Sequence, residues 1–300
     1  MPKSPFTVQL ASSEFKQIVI KSCSLDGSQS LIENDDVGMG RESLAPTLGK
    51  KSVAGDIKVP VDLRNMGIWL TGLLGSAVTT EATGVYTHVF SSGKSILPSF
   101  TVEKSFKEVA DFSIFNGCKI GNMDFDFQAD GNAAVSMGLT GQGEENSDIS
   151  VQPTPAKLVY KPFSNAQGFV NIDGAEVEIM SASLSLNNNL SPIETIRSDN
   201  KIGGIETGMF NATGSVSVKF TNKDLLNKAI AGTPVSMSLG FKFSDTEKMT
   251  IKVLEAYISK PGKAIDGPGG IELSFDFQGA KNVSAGKMVE VELINDVESY

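Results

Sequence analysis

Alternation of apolar and polar residues dominates this chain of 300 residues. In GIELSFDFQ (270–278), Ile271, Leu273, Phe275 and Phe277 share one face; Glu272, Ser274, Asp276 and Gln278 share the other. That period of two is the signature of a half-buried β-strand. Asp124, Asp126 and Gln128 alternate with Phe125 and Phe127 in the same way, and Glu290 and Glu292 with Val289, Val291 and Leu293. In 175–186, Val177 and Ile179 oppose Glu176 and Glu178. Further strands are predicted at 56–61, 99–106, 111–128, 132–141, 215–220, 234–243, 248–258, 270–279 and 287–294. Asp130-Gly131 and GPGG (267–270) read as turns.

Helical spacing occurs twice. NKDLLNKAIA (222–231) places Leu225, Leu226, Ala229 and Ile230 on one side. LRNMGIWLTGLL (63–74) is a poorer helix former because Gly67 and Gly72 lie inside it. Asp62 and Thr221 are placed to cap these helices. Two long polar stretches, 24–51 and 187–208, read as loops; long ordered loops usually carry function.

The stretch FDFQ occurs at 125–128 and at 275–278. Two further pairs run in the same order. IVIKSCSL (18–25) lies over VEIMSASL (177–184), and AGDIKVPVDLRNMGIWLTGLLG (54–75) over TGSVSVKFTNKDLLNKAIAG (213–232). Gly55 and Gly214 open the second pair. Three collinear blocks argue for an internal duplication. The proline-bearing, aperiodic stretch QPTPAKLVYKPFSNAQG (152–168) reads as the linker, which gives units 1–155 and 156–300. Each unit is expected to be a β-sandwich or half-barrel with one short flanking helix.

Composition narrows the chemistry. The chain is 40% hydrophobic and 20% charged, enough to bury a core. A net charge of −9 argues against gripping a nucleic-acid backbone. Two cysteines, Cys23 and Cys118, do not make a disulfide scaffold and read as small buried thiols. The amino-terminal residues have no signal-peptide pattern, and the longest apolar stretch, 66–78, is too short to span a bilayer. Folding in a cytoplasm is therefore expected, and the sequons at Asn189, Asn211 and Asn282 carry no weight.

No catalytic constellation emerges. His88 is the only histidine and has no readable partner for metal binding or proton transfer. There is no phosphate loop; GMGRES (38–43) resembles one weakly but does not follow a strand. There is no nucleophile elbow, and no acidic pair is singled out for glycoside hydrolysis. No cofactor and no metal are expected. The recurring feature is an acidic strand face: Asp124, Asp126, Glu176, Glu178, Glu272, Asp276, Glu290 and Glu292. It is either the solvated side of an antiparallel sheet or the lining of something.

The order of strand, long loop, glycine-led strand, short helix and antiparallel strands resembles the tail tube proteins of long-tailed bacteriophages. The residues that carry it are VAGDIKVPVDLRNMGIWLTGLLG, LPSFTVEKSF, FNGCKIGNMDFDFQADG, AEVEIMSASLSLNNNL, MFNATGSVSVKFTNKDLLNKAIAGT and GPGGIELSFDFQG. The resemblance implies a structural virion protein that assembles in the host cytoplasm into stacked rings. These form a tube that conducts DNA without binding it specifically. It implies tape-measure, tail terminator and distal tail or baseplate partners, and no membrane. A duplicated chain would supply two of the usual six units, so three chains per ring are expected, with six possible. The acidic residues would then line the lumen. The 24–51 loop, with Asp35, Asp36, Arg41, Glu42, Lys50 and Lys51, would reach the next ring. The competing reading is a surface-displayed adhesive or carbohydrate-binding β-protein. Trp69, the only tryptophan, lies among Ile68 and Leu70 and is expected in the core, not stacking on a sugar.

Overall fold

A computed structural model describes residues 6–10, 15–36, 40–220, 222–262 and 272–300. Strands β1 (Phe6–Leu10), β2 (Lys16–Ile18), β3 (Ser22–Cys23), β4 (Asp26–Asn34) and β5 (Leu44–Pro60) lead into helix α1 (Met66–Leu74). Then come β6 (Val78–Ala82), β7 (Val85–Ser91), β8 (Phe100–Phe106), β9 (Asp111–Phe127), β10 (Ala134–Gly141) and β11 (Gly143–Ser147). A short 3-10 turn (Asn165–Gln167) precedes β12 (Gly168–Ile172), β13 (Ala175–Glu176) and β14 (Ser181–Asn187). Next are β15 (Ser191–Ile193), β16 (Gly204–Glu206), β17 (Asn211–Lys219) and helix α2 (Asp224–Ala231). The chain ends with β18 (Val235–Ser244), β19 (Glu247–Ile258), β20 (Glu272–Ala280) and β21 (Val289–Asn295).

The protein is mainly β and its strands pair antiparallel. A central sheet runs through both halves. Its order is β3 and β4 against β5, then β10, β9, β14, β17, β20 and the end of β19. Each half adds a second layer: β2–β1–β8–β9–β11 in the first, β13–β12–β18–β19–β21 in the second. β9 and β19 serve both layers because each carries a bulge. Opposite β8, the register slips at Asn116-Gly117, where Gly117 takes φ +65°. Opposite β18, it slips at Leu254-Glu255. A bulge bends the strand and re-aims its side chains, so one strand can leave one layer and enter another. Buried apolar residues of both halves form one contiguous core.

The pairings repeat along the chain. In the first half Ser22 faces Lys58 and Cys23 faces Ile57; in the second Ser181 faces Ser217 and Ala182 faces Val216, with the same spacing between partners. Ile120 faces Leu139 and Lys119 faces Thr140; likewise Ile258 faces Phe277 and Tyr257 faces Gln278. In this scheme β5 answers to β17, β9 to β19 and β10 to β20. The two FDFQ stretches therefore do not correspond. One ends β9 beside β10 and β14; the other lies in β20, between β17 and β19. Both stretches keep their phenylalanines on the core side and their polar residues on the other.

Several local expectations need correction. The 24–51 stretch is not a loop but a long hairpin: β4 pairs with β5 from Asp26↔Ala54 out to Asn34↔Leu44. The 187–208 stretch likewise contains the β15–β16 hairpin. The strand expected over 175–186 is broken, with Val177–Met180 between β13 and β14. α1 starts at Met66, not at Leu63, because Asp62 organises the turn before it and not the helix itself. Asp62 Oδ1 accepts from the backbone N–H groups of Arg64 and Asn65 at 3.0 and 2.7 Å. Thr221 and the GPGG turn lie outside the described residues. Residues 78–91, for which no hairpin was expected, form the β6–β7 hairpin, which turns through Thr83 (φ 53°) and Gly84 (φ 76°). Two positive φ values in a two-residue turn suit the twist of a hairpin, and Thr-Gly is a weak signal for it. β7 then pairs with β21, so a first-half hairpin covers a second-half edge.

Candidate functional site

The polar side of the central sheet collects the acidic residues. Residues that face each other across an antiparallel ladder lie on the same side of the sheet. One rung reads Ser22, Lys58, Ser136, Asp124, Ser185, Thr213, Gln278 and Tyr257, one residue from each of eight strands. The next reads Asp126, Ser183, Ser215 and Asp276. The opposite side of these strands supplies the core, with Phe125, Leu184, Val216 and Phe275 nearly inaccessible. Serine fills the rungs between the carboxylates because a short hydroxyl leaves the side open while still meeting its neighbour. Ser185 Oγ donates to Asp124 Oδ1 at 2.5 Å, Asn122 Nδ2 donates to Asp124 Oδ2 at 2.6 Å, and the Ser183 and Ser215 hydroxyls lie 2.9 Å apart. Asp124, Asp126, Ser183, Ser185, Ser215 and Asp276 are among the residues that line an open trough of about 770 Å³.

Four of the eight acidic candidates thus fall together: Asp124, Asp126, Glu272 and Asp276. Glu272 faces Lys219 across the ladder, on the side shared with Asp276. Among the described residues none of the four makes an ion pair. Glu290 and Glu292 are elsewhere, on β21 in the second layer. Glu290 pairs with Lys287 and, at 3.3 Å, with Lys252; Glu292 pairs with Lys252 at 3.3 Å and Lys248 at 3.2 Å. Burial opposes the Glu290 carboxylate, but the Lys287 and Lys252 hydrogen bonds together hold it below the usual carboxylate range. Glu176 and Glu178 are exposed beside a separate recess lined also by Gln128 and Met180. The serine rungs were not picked out from the sequence, although SASLS (181–185) and SVS (215–217) already alternate as rungs must.

Nothing on this surface resembles a reaction centre. Among the described residues no cluster of His, Cys, Asp and Glu could hold a metal ion. His88 is buried on β7: its Nε2–H donates to the Val297 carbonyl at 2.8 Å, and Thr79 Oγ1 donates to Nδ1 at 2.8 Å. Burial lowers its pKa, in keeping with a neutral ring locked in one tautomer. Cys118 is buried, which pushes its thiol up to about 12; Cys23 is half-buried, and both are free. Trp69 is fully buried, as expected, and is no sugar-stacking platform. No helix among the described residues is long and apolar enough to cross a membrane.

The feature the geometry singles out is a sheet that runs unbroken through both halves, with a polar side of carboxylates and hydroxyls. A family model described as phage tail tube protein matches residues 3–279. The chain belongs to the phage tail tube family. No curated protein matches it. Membership makes it a structural component of the virion tail that self-assembles into a tube with tail partners, in a family that is not one of enzymes.

For a tail tube protein the long β4–β5 hairpin is the second surface of interest. It carries Leu31, Ile32 and Leu48 more than half exposed, an unusual load of apolar side chains for a hairpin facing water. Asp35, Asp36, Arg41 and Glu42 are exposed near its tip. Lys50 pairs with Glu194 of the second half, and the Lys51 N–H donates to the Asn200 carbonyl at 3.0 Å, so the base of the hairpin is anchored.

Proposed function

We propose that the chain builds the rings of the tail tube through which the phage genome reaches the host. Three chains form a ring, each supplying two of six equivalent β units. The polar side of the central sheet lines the lumen. The observation that carries this reading is the repeated register: a family that builds tubes, and one chain that pairs its strands twice in the same pattern. DNA is a dense polyanion, and basic walls would hold it by releasing its counterions. Carboxylates at Asp124, Asp126, Glu272 and Asp276 repel the phosphates, so the strand passes without specific contact. Glu290 and Glu292, matched by lysines, add little to that field. Glu176 and Glu178, outside the rungs, sit at its margin.

The β4–β5 hairpin reaches the neighbouring ring, its exposed leucines covered on stacking. Assembly takes place in the host cytoplasm, with tape-measure, terminator and distal tail or baseplate proteins setting length and ends. The test is electron microscopy of the purified protein at high concentration. The expected result is rings of three chains, stacking into tubes, with a map that places the four carboxylates on the inner wall. Six chains per ring would overturn the stoichiometry, and carboxylates on the outer wall would overturn the lumen assignment. Removing residues 30–48 should leave folded rings that no longer stack; tubes formed by that variant would exclude the hairpin.

A further inference from the structure

The crossing from β13 to β14 leaves a recess at the seam of the two halves. β12 and β13 form a tight hairpin through Asp173 (φ 52°) and Gly174 (φ 81°), which holds Glu176 in the second layer. β14 begins in the central sheet, beside the end of β9, with Ala182 facing Phe127. Residues 177–180 therefore pass from one layer to the other. The crossing is tied at its ends, by the Val177 N–H to the Val170 carbonyl at 3.0 Å and by the Met180 N–H to the Ser217 carbonyl at 2.8 Å. A segment that changes layers cannot follow the edge of either sheet, and a recess of about 260 Å³ opens beside it. Phe127, Gln128 and Ala129 line it from the first half, and residues between 165 and 180 line it from the second.

Its walls and its polar groups differ in kind. The walls are apolar: Phe127, Phe169, Val177, Ile179 and Met180. Phe127 is fixed from behind, its ring centroid 5.0 Å from that of Phe241, and Val177 and Ile179 pack against the core. The polar groups are mostly acceptors. Glu176 and Glu178 are exposed and make no ion pair among the described residues. Asn165 Nδ2 donates to the Asp130 carbonyl at 2.7 Å, but the buried Asn165 Oδ1 has no hydrogen-bond partner among the described residues. A buried acceptor left unmet is uncommon. No lysine, arginine or histidine is among the residues that line the recess. An occupant must therefore bring positive charge and donors at one end and apolar surface at the other.

We propose that this recess binds a small organic cation, an ammonium carried on an aromatic or short aliphatic body. An ammonium has three N–H donors and no acceptor, which matches a lining of carboxylates and an unmet carbonyl oxygen. The body covers the apolar walls and gains their burial. An anion of the same shape is repelled by Glu176 and Glu178. A bare metal ion is unsuited, since among the described residues no group of His, Cys, Asp and Glu can hold one. The volume lies just below the usual range for pockets that take drug-sized ligands, so the ligand is small. Because both halves supply the lining, a bound ligand joins the end of β9 to the second-half crossing. It stabilises the folded chain in step with its occupancy.

The test uses the full chain below ring-forming concentration, isotope-labelled in its methionine methyls for NMR, with phenethylamine as the probe. The Met180 methyl signal, assigned by its loss in Met180→Leu, should shift saturably, with a Kd in the millimolar range or tighter. Phenylpropionate keeps the ring and reverses the charge, and should leave that signal in place. Glu176→Gln/Glu178→Gln alters only exposed side chains; it should keep the unfolding midpoint and weaken phenethylamine by about tenfold or more. Saturating phenethylamine should raise the wild-type midpoint. A Met180 signal that does not move, equal shifts from both probes, or unchanged affinity in the double variant would overturn the site. The comparison of the two probes stands on the wild type alone, whatever the variant does.

Discussion

Helices α1 and α2 follow equivalent strands, β5 and β17, in the two halves, and they have different fates. Every residue of α1 is buried, Trp69 at its centre. In α2 only Leu226 is buried, and Ile230 is 60% exposed. The difference starts with the next element of each half. After α1 the chain makes the β6–β7 hairpin, which pairs with β21 and brings the carboxy-terminal residues over the helix. Tyr300 donates from its hydroxyl to the Arg64 carbonyl at 2.6 Å, and Asn295 Nδ2 donates to the Leu63 carbonyl at 2.8 Å. After α2 the chain goes straight into β18. One helix is sealed under a strap; the other remains on the surface. At this point the two halves differ by one hairpin, β6–β7, which follows α1 and has no counterpart after α2.

Truncation measures the contrast first. Trp69→Ala should cost about 4 kcal/mol and Leu226→Ala about 2 kcal/mol, read from denaturant midpoints of the unassembled protein. Equal losses would mean that the strap does not deepen the first core. Glycine is the sharper probe. In a helix, Gly→Ala ordinarily gains up to ~1 kcal/mol. At Gly72 a methyl would meet the Phe100 ring at 2.1 Å, and Phe100 is itself 1% exposed. Gly72→Ala should therefore destabilise by about 1–3 kcal/mol, and a gain would show that the ring has room to move.

The strap also makes stability depend on pH. His88 lies under it, its ring centroid 4.8 Å from that of Tyr300, and burial lowers its pKa. Above the ordinary histidine value near 6.5, folded and unfolded chains both hold a neutral ring and the contribution is complete. As pH falls through that value toward the lowered one, the unfolded chain binds a proton that the folded chain refuses, so stability is lost. The denaturation midpoint should fall more steeply between pH 7.5 and 5 for the wild type than for His88→Gln; parallel profiles would clear His88. The smallest effect is expected on α2: Ile230→Lys should change stability by less than ~0.5 kcal/mol.

Much of the strand pattern could be read directly. Seven of the strands expected from alternation, at 99–106, 111–128, 132–141, 234–243, 248–258, 270–279 and 287–294, match β8, β9, β10, β18, β19, β20 and β21 within a residue or two. They are legible because one side of each faces the core. The β4–β5 hairpin was not, because most of it projects into water and its period is not enforced by burial. The glycines of α1 counted against the helix on propensity, and only the Tyr300 and Phe100 rings pressed against Gly67 and Gly72 explain them. The acidic surface was half legible. Alternation picked out the right type of residue, but it cannot distinguish Asp276, which has serine opposite it, from Glu290, which has lysine.

By itself the sequence determined the β class, the side of each core strand that turns inward, the burial of Trp69 and the family to which the chain belongs. The first three follow from local periodicity and composition, which act over a few residues; the family rests on the likeness of whole segments along the chain. The tertiary structure decided which strand answers to which, and so separated the two FDFQ stretches. It also decided which carboxylates share a surface and where the first-half strap lands. Strand pairing is a contact between distant residues, and register is set by the neighbour and not by the strand alone. Identical letters can therefore occupy different places, and unlike letters, such as VSMGLTG in β10 and LSFDFQG in β20, the same one.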